Sequence, residues 1–127
     1  MAKIIIASGP VIVENGKVLL NKHGDDNFWK FCGGRVEDFE SDLFENASRE
    51  VKEEMEIGIK ALNPTPFIMH VKKEDKDIIL VHFLAKRIDE IKPGEDIREW
   101  DWFDINNLPN DIGPNIRPVL EHFGFIK

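Results

Sequence analysis

A chain of 127 residues, 42% of them hydrophobic, can bury one core and is too short for two, so a single domain over residues 1–127 is expected. Its 24 acidic and 17 basic residues give a formal charge of -7, a mean field that repels extended nucleic acid but allows a small anion escorted by a cation. Cys32 is alone, which excludes an intramolecular disulfide scaffold.

Met1-Ala2-Lys3 leads into Ile4-Ile5-Ile6, and Ser8-Gly9-Pro10 ends that run too early for a signal peptide or a membrane span. A reducing cytoplasm is the expected setting, with no membrane partner. Ile4 to Val13 and Lys17 to Asn21 flank Glu14-Asn15-Gly16, whose Asn-Gly pair favours a tight turn, so a hairpin is predicted. After the polar His23-Gly24-Asp25-Asp26, Phe28 to Phe31 is predicted as a short strand ending at Gly33-Gly34.

Phe44, Ala47, Val51 and Met55 recur at spacings of three or four, which predicts a helix from Ser41 or Asp42 to Met55, with Gly58 at its exit. Ile59 to Val71, interrupted by Pro64 and Pro66, reads as an irregular or edge strand, and Lys72 to Asp77 as a charged turn. Ile78 to Arg87 has the apolar density of a central strand, with Ile78 to Val81 expected to be buried on both faces. Asp89 to Glu99 is a polar loop, Trp100 to Phe103 a short strand, and Asn115 to Phe123 a terminal helix with Pro118 near its first turn. No repeat or linker divides the chain.

At about 100° per helical residue, Glu50, Glu53 and Glu54 fall on one arc beside the packing face of the first helix. Arg49 is spaced to pair with Glu53, which leaves two glutamates repelling each other on neighbouring turns. A divalent cation offsets that repulsion. Magnesium takes oxygen ligands and keeps waters, and a backbone carbonyl at Gly33-Gly34 can approach where no side chain intervenes. The bland alternative is a solvated charged helix. The glycines and the acidic turn ahead of it, Gly33 to Glu40, are not needed by such a helix and argue against it.

Gly34, Glu40 after five intervening residues, and Arg49-Glu50-Val51-Lys52-Glu53-Glu54-Met55 together resemble the signature of the Nudix hydrolase family, over residues 34–57. Trp29 and the segment Glu99 to Phe103 extend the likeness. Two features depart from the pattern. Eight residues rather than seven separate Glu40 from Arg49, an enlargement assigned to the turn from Asp38 to Leu43. Glu56 stands where the pattern has glycine, with Gly58 two residues later, and is expected to lengthen the helix or alter its end.

The resemblance implies an α/β fold, an alpha/beta/alpha sandwich around a mixed sheet, and hydrolysis of a phosphoanhydride by water attacking phosphorus with Mg2+, or alternatively Mn2+. It implies a metal shell of the Gly33 carbonyl, Glu50, Glu53 and Glu54. Arg49 would orient the carboxylates, and Gly34, Glu37 and Glu40 would support the turn. The general base is expected to be Glu53, with Glu99 as the alternative from a loop that also carries Glu95. Phe28 or Trp29 would stack on the base of a small nucleotide-like substrate.

The preferred substrates are nucleoside di- or triphosphate derivatives. Alternatives are ADP-ribose hydrolysis, for which Pro64 and Pro66 offer slight support, and an inactive nucleotide-binding module. Monomer and homodimer both fit. Cys32 is expected to be a packed side chain, and His23, His70, His82 and His122 are too scattered for a histidine metal centre. Trp29, Phe31, Trp100, Trp102 and Phe103 are expected to build core and pocket walls.

Overall fold

The computed structural model describes residues 3–37, 39–63 and 65–126. Residues 1–2, Asp38 at the head of the enlarged turn, Pro64 and Lys127 lie outside them. The elements run β1 (Lys3–Glu14), β2 (Lys17–His23), β3 (Gly34–Arg35), α1 (Leu43–Met55), β4 (Ile59–Ala61), β5 (Phe67–Lys73), β6 (Lys76–Arg87), β7 (Ile97–Asp104) and α2 (Ile116–His122).

The hairpin forms where expected. Asn15 and Gly16 take φ of 52° and 77°, the paired left-handed conformation of a two-residue turn, and Glu14 pairs with Lys17. The sheet order is β4-β6-β1-β2-β7, with β3 on β1 and β5 on β6. β1 runs parallel to β6 from Lys3–Lys76 to Ile12–Ala85, while the other pairings are antiparallel, so the sheet is mixed.

Alternation along β1 and β2 builds three layers. Ile12 and Leu19 point to one face, where they meet Val51 and Met55 of α1. Val11, Val18 and Leu20 point to the other, where they meet Ile116, Val119 and Leu120 of α2. The two helices thus cover opposite faces of one α/β sandwich. No helix among the described residues is long and apolar enough to cross a membrane.

Several expectations are corrected. Phe28 to Phe31 forms no strand: Lys30 bridges Asn21, and Trp29 bridges Ile112. Lys30 exchanges both of its backbone bonds with Asn21, whereas Trp29 bonds Asp111 and Gly113, because the segment crosses from β2 to the loop before α2 instead of following one strand. Ile59 to Val71 is the interrupted edge segment expected, made of β4 and most of β5, both on the same side of β6. The charged turn shortens to Glu74-Asp75 because β5 and β6 pair as far as Lys73–Lys76. β6 is central as expected, but Ile78, Ile79 and Leu80 are only half-buried. The fully covered stretch is Val81 to Phe83, with Ala85, because Leu80 borders an open cavity and Ile4 near the start of β1 is exposed.

Candidate active site

Asp42 caps α1 by accepting the Glu45 N–H at 2.7 Å, which fixes where the helix starts and hence where its carboxylates stand. Asn46 sits buried in the first turn, donating to the Asp42 carbonyl at 3.0 Å and accepting from Arg49 Nη2 at 2.6 Å. Arg49 therefore reaches back to Asn46, one turn before it. The other end of the helix neither lengthens nor frays. Glu56 takes a left-handed φ of 57° and donates its N–H to the Lys52 carbonyl at 3.0 Å, the role a glycine usually fills.

Glu50, Glu53 and Glu54 occupy the face beside the buried Val51 and Met55. Glu53 and Arg49 are exposed, whereas Glu50 and Glu54 are half-buried. Burial raises the proton affinity of the Glu50 carboxyl, and the charges of Glu54, Glu53 and Glu37 raise it further against the opposing pull of Arg49. Glu37 on the glycine turn thus acts on the same carboxylate as the helix acids. Glu40 is exposed on that loop.

Gly34 faces this cluster. A Cβ there would stand 2.9 Å from Glu50 Oε2. Gly33 faces the other way: at φ 124° its missing Cβ would lie 2.3 Å from the Ser8 carbonyl oxygen, so the turn presses directly on β1. Cys32 is wholly buried, and burial pushes its thiol up to about 12, which leaves it the inert packing group the sequence implies.

Glu54 has two unlike oxygens. Oε2 accepts from Nε2 of His23, since a carboxylate offers only lone pairs, and Oε1 is buried with no partner. The Glu54 contact raises the imidazole's proton affinity against the opposing effect of burial. Sequence spacing hid His23, because β2 delivers it from 31 positions away. The available signal was the polar His23-Gly24-Asp25-Asp26 directly after an apolar strand. Among the described residues, no three or more His, Cys, Asp or Glu side chains are gathered closely enough to hold a metal ion, so Glu50, Glu53 and Glu54 share a face without converging on one point.

A cavity of about 240 Å³ adjoins the glycine turn, with Lys30, Gly33, Gly34, Arg35, His82 and Asn115 in its wall. Asn115 Nδ2 lies 3.0 Å from His82 Nε2, and the buried Ser8 Oγ on the same wall has no partner. Trp29 is half-buried, with its ring 4.7 Å from Phe103 and under the Lys22 ammonium, while Phe28 is 54% exposed. Glu99 lies on β7 opposite Lys22, with Lys22 Nζ at 3.9 Å and Arg98 Nη2 at 3.5 Å. The loop ahead of β7 docks on the end of α1, where Gly94 N–H donates to the Glu54 carbonyl at 2.7 Å.

Solved structures share this architecture. A MutT NUDIX hydrolase from Burkholderia pseudomallei is 23% identical, with TM-score 0.81 over 94% of this chain and 97% of that one. A MutT protein from Methanosarcina mazei Go1 is 21% identical, with TM-score 0.79 over 96% and 94%. An Ap4A hydrolase from C. elegans is 22% identical, with TM-score 0.78 over 94% of each chain. No curated protein matches the sequence. The NUDIX domain model matches residues 5–123, nearly the whole chain, and with the glycine turn and acidic helix in place the chain belongs to the NUDIX domain family.

Proposed function

We propose that the chain is a hydrolase that cleaves a phosphoanhydride in nucleoside di- or triphosphate derivatives with the help of Mg2+ or Mn2+. The observation that carries this reading is the pair Glu50 and Glu54. One carboxylate is held among three other negative charges, and the other keeps a buried oxygen without a partner. An orphaned buried acceptor costs roughly 1–3 kcal/mol, more when charged, so it calls for an explanation such as an ion. The donors are oxygens, and they fit a magnesium-type cation better than a softer one.

Glu50, Glu53 and Glu54, with the Gly33 carbonyl, are the groups that would hold it. A bound cation of this kind neutralises charge on phosphoryl oxygens and acidifies water. The remaining work falls to the chain. Glu53, exposed on the acid face, takes the proton of the attacking water, and Arg49, fixed by Asn46, tempers the charge on Glu50. Glu99 is the alternative proton acceptor from β7. Lys30, Arg35 and Asn115 offer hydrogen bonds and positive charge to a nucleotide in the adjoining cavity, with the exposed Phe28 available to stack on a base. Trp29, engaged with Phe103 and Lys22, would contribute an edge instead of a free face.

The test is turnover against a panel of nucleoside triphosphates, a dinucleoside polyphosphate and ADP-ribose, with magnesium, manganese, calcium or chelator. Nucleotide plus pyrophosphate is the expected product pair. AMP plus ribose phosphate would move the assignment to ADP-ribose cleavage, and binding without turnover under every condition would reject the enzyme reading.

A further inference from the structure

The mechanism leaves His23 without a task, yet its side chain reaches an acid of α1 from outside that helix. β2 shifts register between Lys22 and His23, which turns the chain out of the sheet at that point. The following turn is fastened from several directions. His23 N–H donates to Asp26 Oδ2 at 2.8 Å, Asp26 N–H donates back to the His23 carbonyl at 2.8 Å, and Lys30 Nζ lies 2.9 Å from the same carboxylate. From β7, Arg98 donates to the Gly24 carbonyl and, at 2.8 Å, to that of Asp26.

The imidazole is consequently hydrogen-bonded through one nitrogen, with the other facing a carboxylate beyond hydrogen-bond distance. Nδ1 lies 3.6 Å from Asp26 Oδ2, and Nε2 bonds Glu54 Oε2. An unrestrained glutamate turns about its last bond and presents either oxygen in many directions. Glu54 is restrained: its side chain is 11% exposed, Oε2 is occupied, and Oε1 remains buried and unpaired.

The geometry points to His23 as a positioning residue that fixes the Glu54 carboxylate, holding Oε2 so that Oε1 is left for a divalent cation. This rests on the reading of Glu54 as a metal-holding group. The rival account makes the imidazole a stand-in charge that the ion must push away, and it predicts the opposite change in affinity. A hydrogen-bonded partner behind a metal-ligating carboxylate typically contributes about 10-fold to 100-fold in metal affinity.

The experiment measures Mn2+ binding to the full chain without substrate by electron paramagnetic resonance, for wild type, His23→Ala and His23→Gln. Alanine is expected to weaken binding by about 10-fold to 100-fold. Glutamine, which keeps an N–H donor, is expected to recover most of the loss. Separately, the Nε2–H proton resonance of His23 in wild-type protein is expected to persist when magnesium is added. Equal or tighter Mn2+ binding by His23→Ala, or disappearance of that resonance with magnesium, overturns the inference. Should His23→Ala not fold, the wild-type resonance decides alone. Wild-type protein that binds no Mn2+ would overturn the metal reading of Glu54 itself, and the inference with it.

Discussion

The backbone of Gly34 leaves room for Oε2 of Glu50, which would be only 2.9 Å from a Cβ at that position. The carboxylate therefore leans over β3, and the turn and the helix share one site. Gly33, its neighbour, makes a different contact, with 2.3 Å from its absent Cβ to the Ser8 carbonyl oxygen.

The two glycines should separate function from stability. In Gly34→Ala the obstacle is the end of a flexible side chain, so Glu50 swings aside at little cost to folding. Mn2+ affinity is expected to fall about 10-fold, with stability changed by less than about 1 kcal/mol. In Gly33→Ala the obstacle is backbone and φ is 124°, so neither partner can yield. A loss of about 3 kcal/mol or more is expected. Denaturant titration and Mn2+ binding on both variants check the contrast, and equal destabilisation by the two would contradict it.

Glu53→Gln keeps size and hydrogen-bonding capacity while removing the charge. Turnover with saturating substrate and magnesium should drop by about 10²-fold to 10⁴-fold, with an unchanged melting curve because the side chain is exposed. Glu99→Gln, whose carboxylate is shared with Lys22 and Arg98, should retain most activity. If the two results are reversed, the proton acceptor is Glu99. Mn2+ binding must accompany both measurements, since a lost ligand and a lost base depress turnover alike.

Glu56 ends α1 in the left-handed region at φ 57°, where a side chain costs about 1 kcal/mol relative to glycine. Glu56→Gly is expected to stabilise the protein by about that amount, read as a rise in denaturation midpoint at constant slope. An unchanged or lower midpoint would show that the Glu56 side chain contributes something the backbone argument omits.

These residues also show why some features were legible and others were not. The helix was readable because Phe44, Ala47, Val51 and Met55 repeat on one face and Asp42 caps it, all within one local segment. The acid face followed from the same periodicity. The hairpin was readable from Asn15-Gly16. Phe28 to Phe31 misled because aromatic density favours a strand, while the backbone partners that decide the matter, Asn21, Asp111 and Gly113, lie outside the segment. His23 was missed for the same reason: its meaning comes from Glu54, which chain folding alone brings near. Asn115 and His82 likewise meet only when α2 closes over β6.

His82 provides a pH prediction. It lies on the buried part of β6, 4.8 Å from the Phe31 ring, and burial lowers its pKa from 6.5 to about 4, with the Gly9 backbone opposing the shift. Between those values the unfolded chain binds a proton that the folded chain refuses, so stability is whole above about pH 6.5 and declines as pH falls towards 4. At about 1.4 kcal/mol per pH unit the full loss is on the order of 3 kcal/mol. Carboxylates titrate over part of this window, so the informative quantity is a difference between proteins. His82→Gln retains an acceptor for Asn115 and removes the titration, and its unfolding free energy should fall less than that of wild type between pH 7 and pH 4. Parallel curves across that interval would mean that the imidazole gains its proton without unfolding, through an opening of the Asn115 wall that admits water to β6.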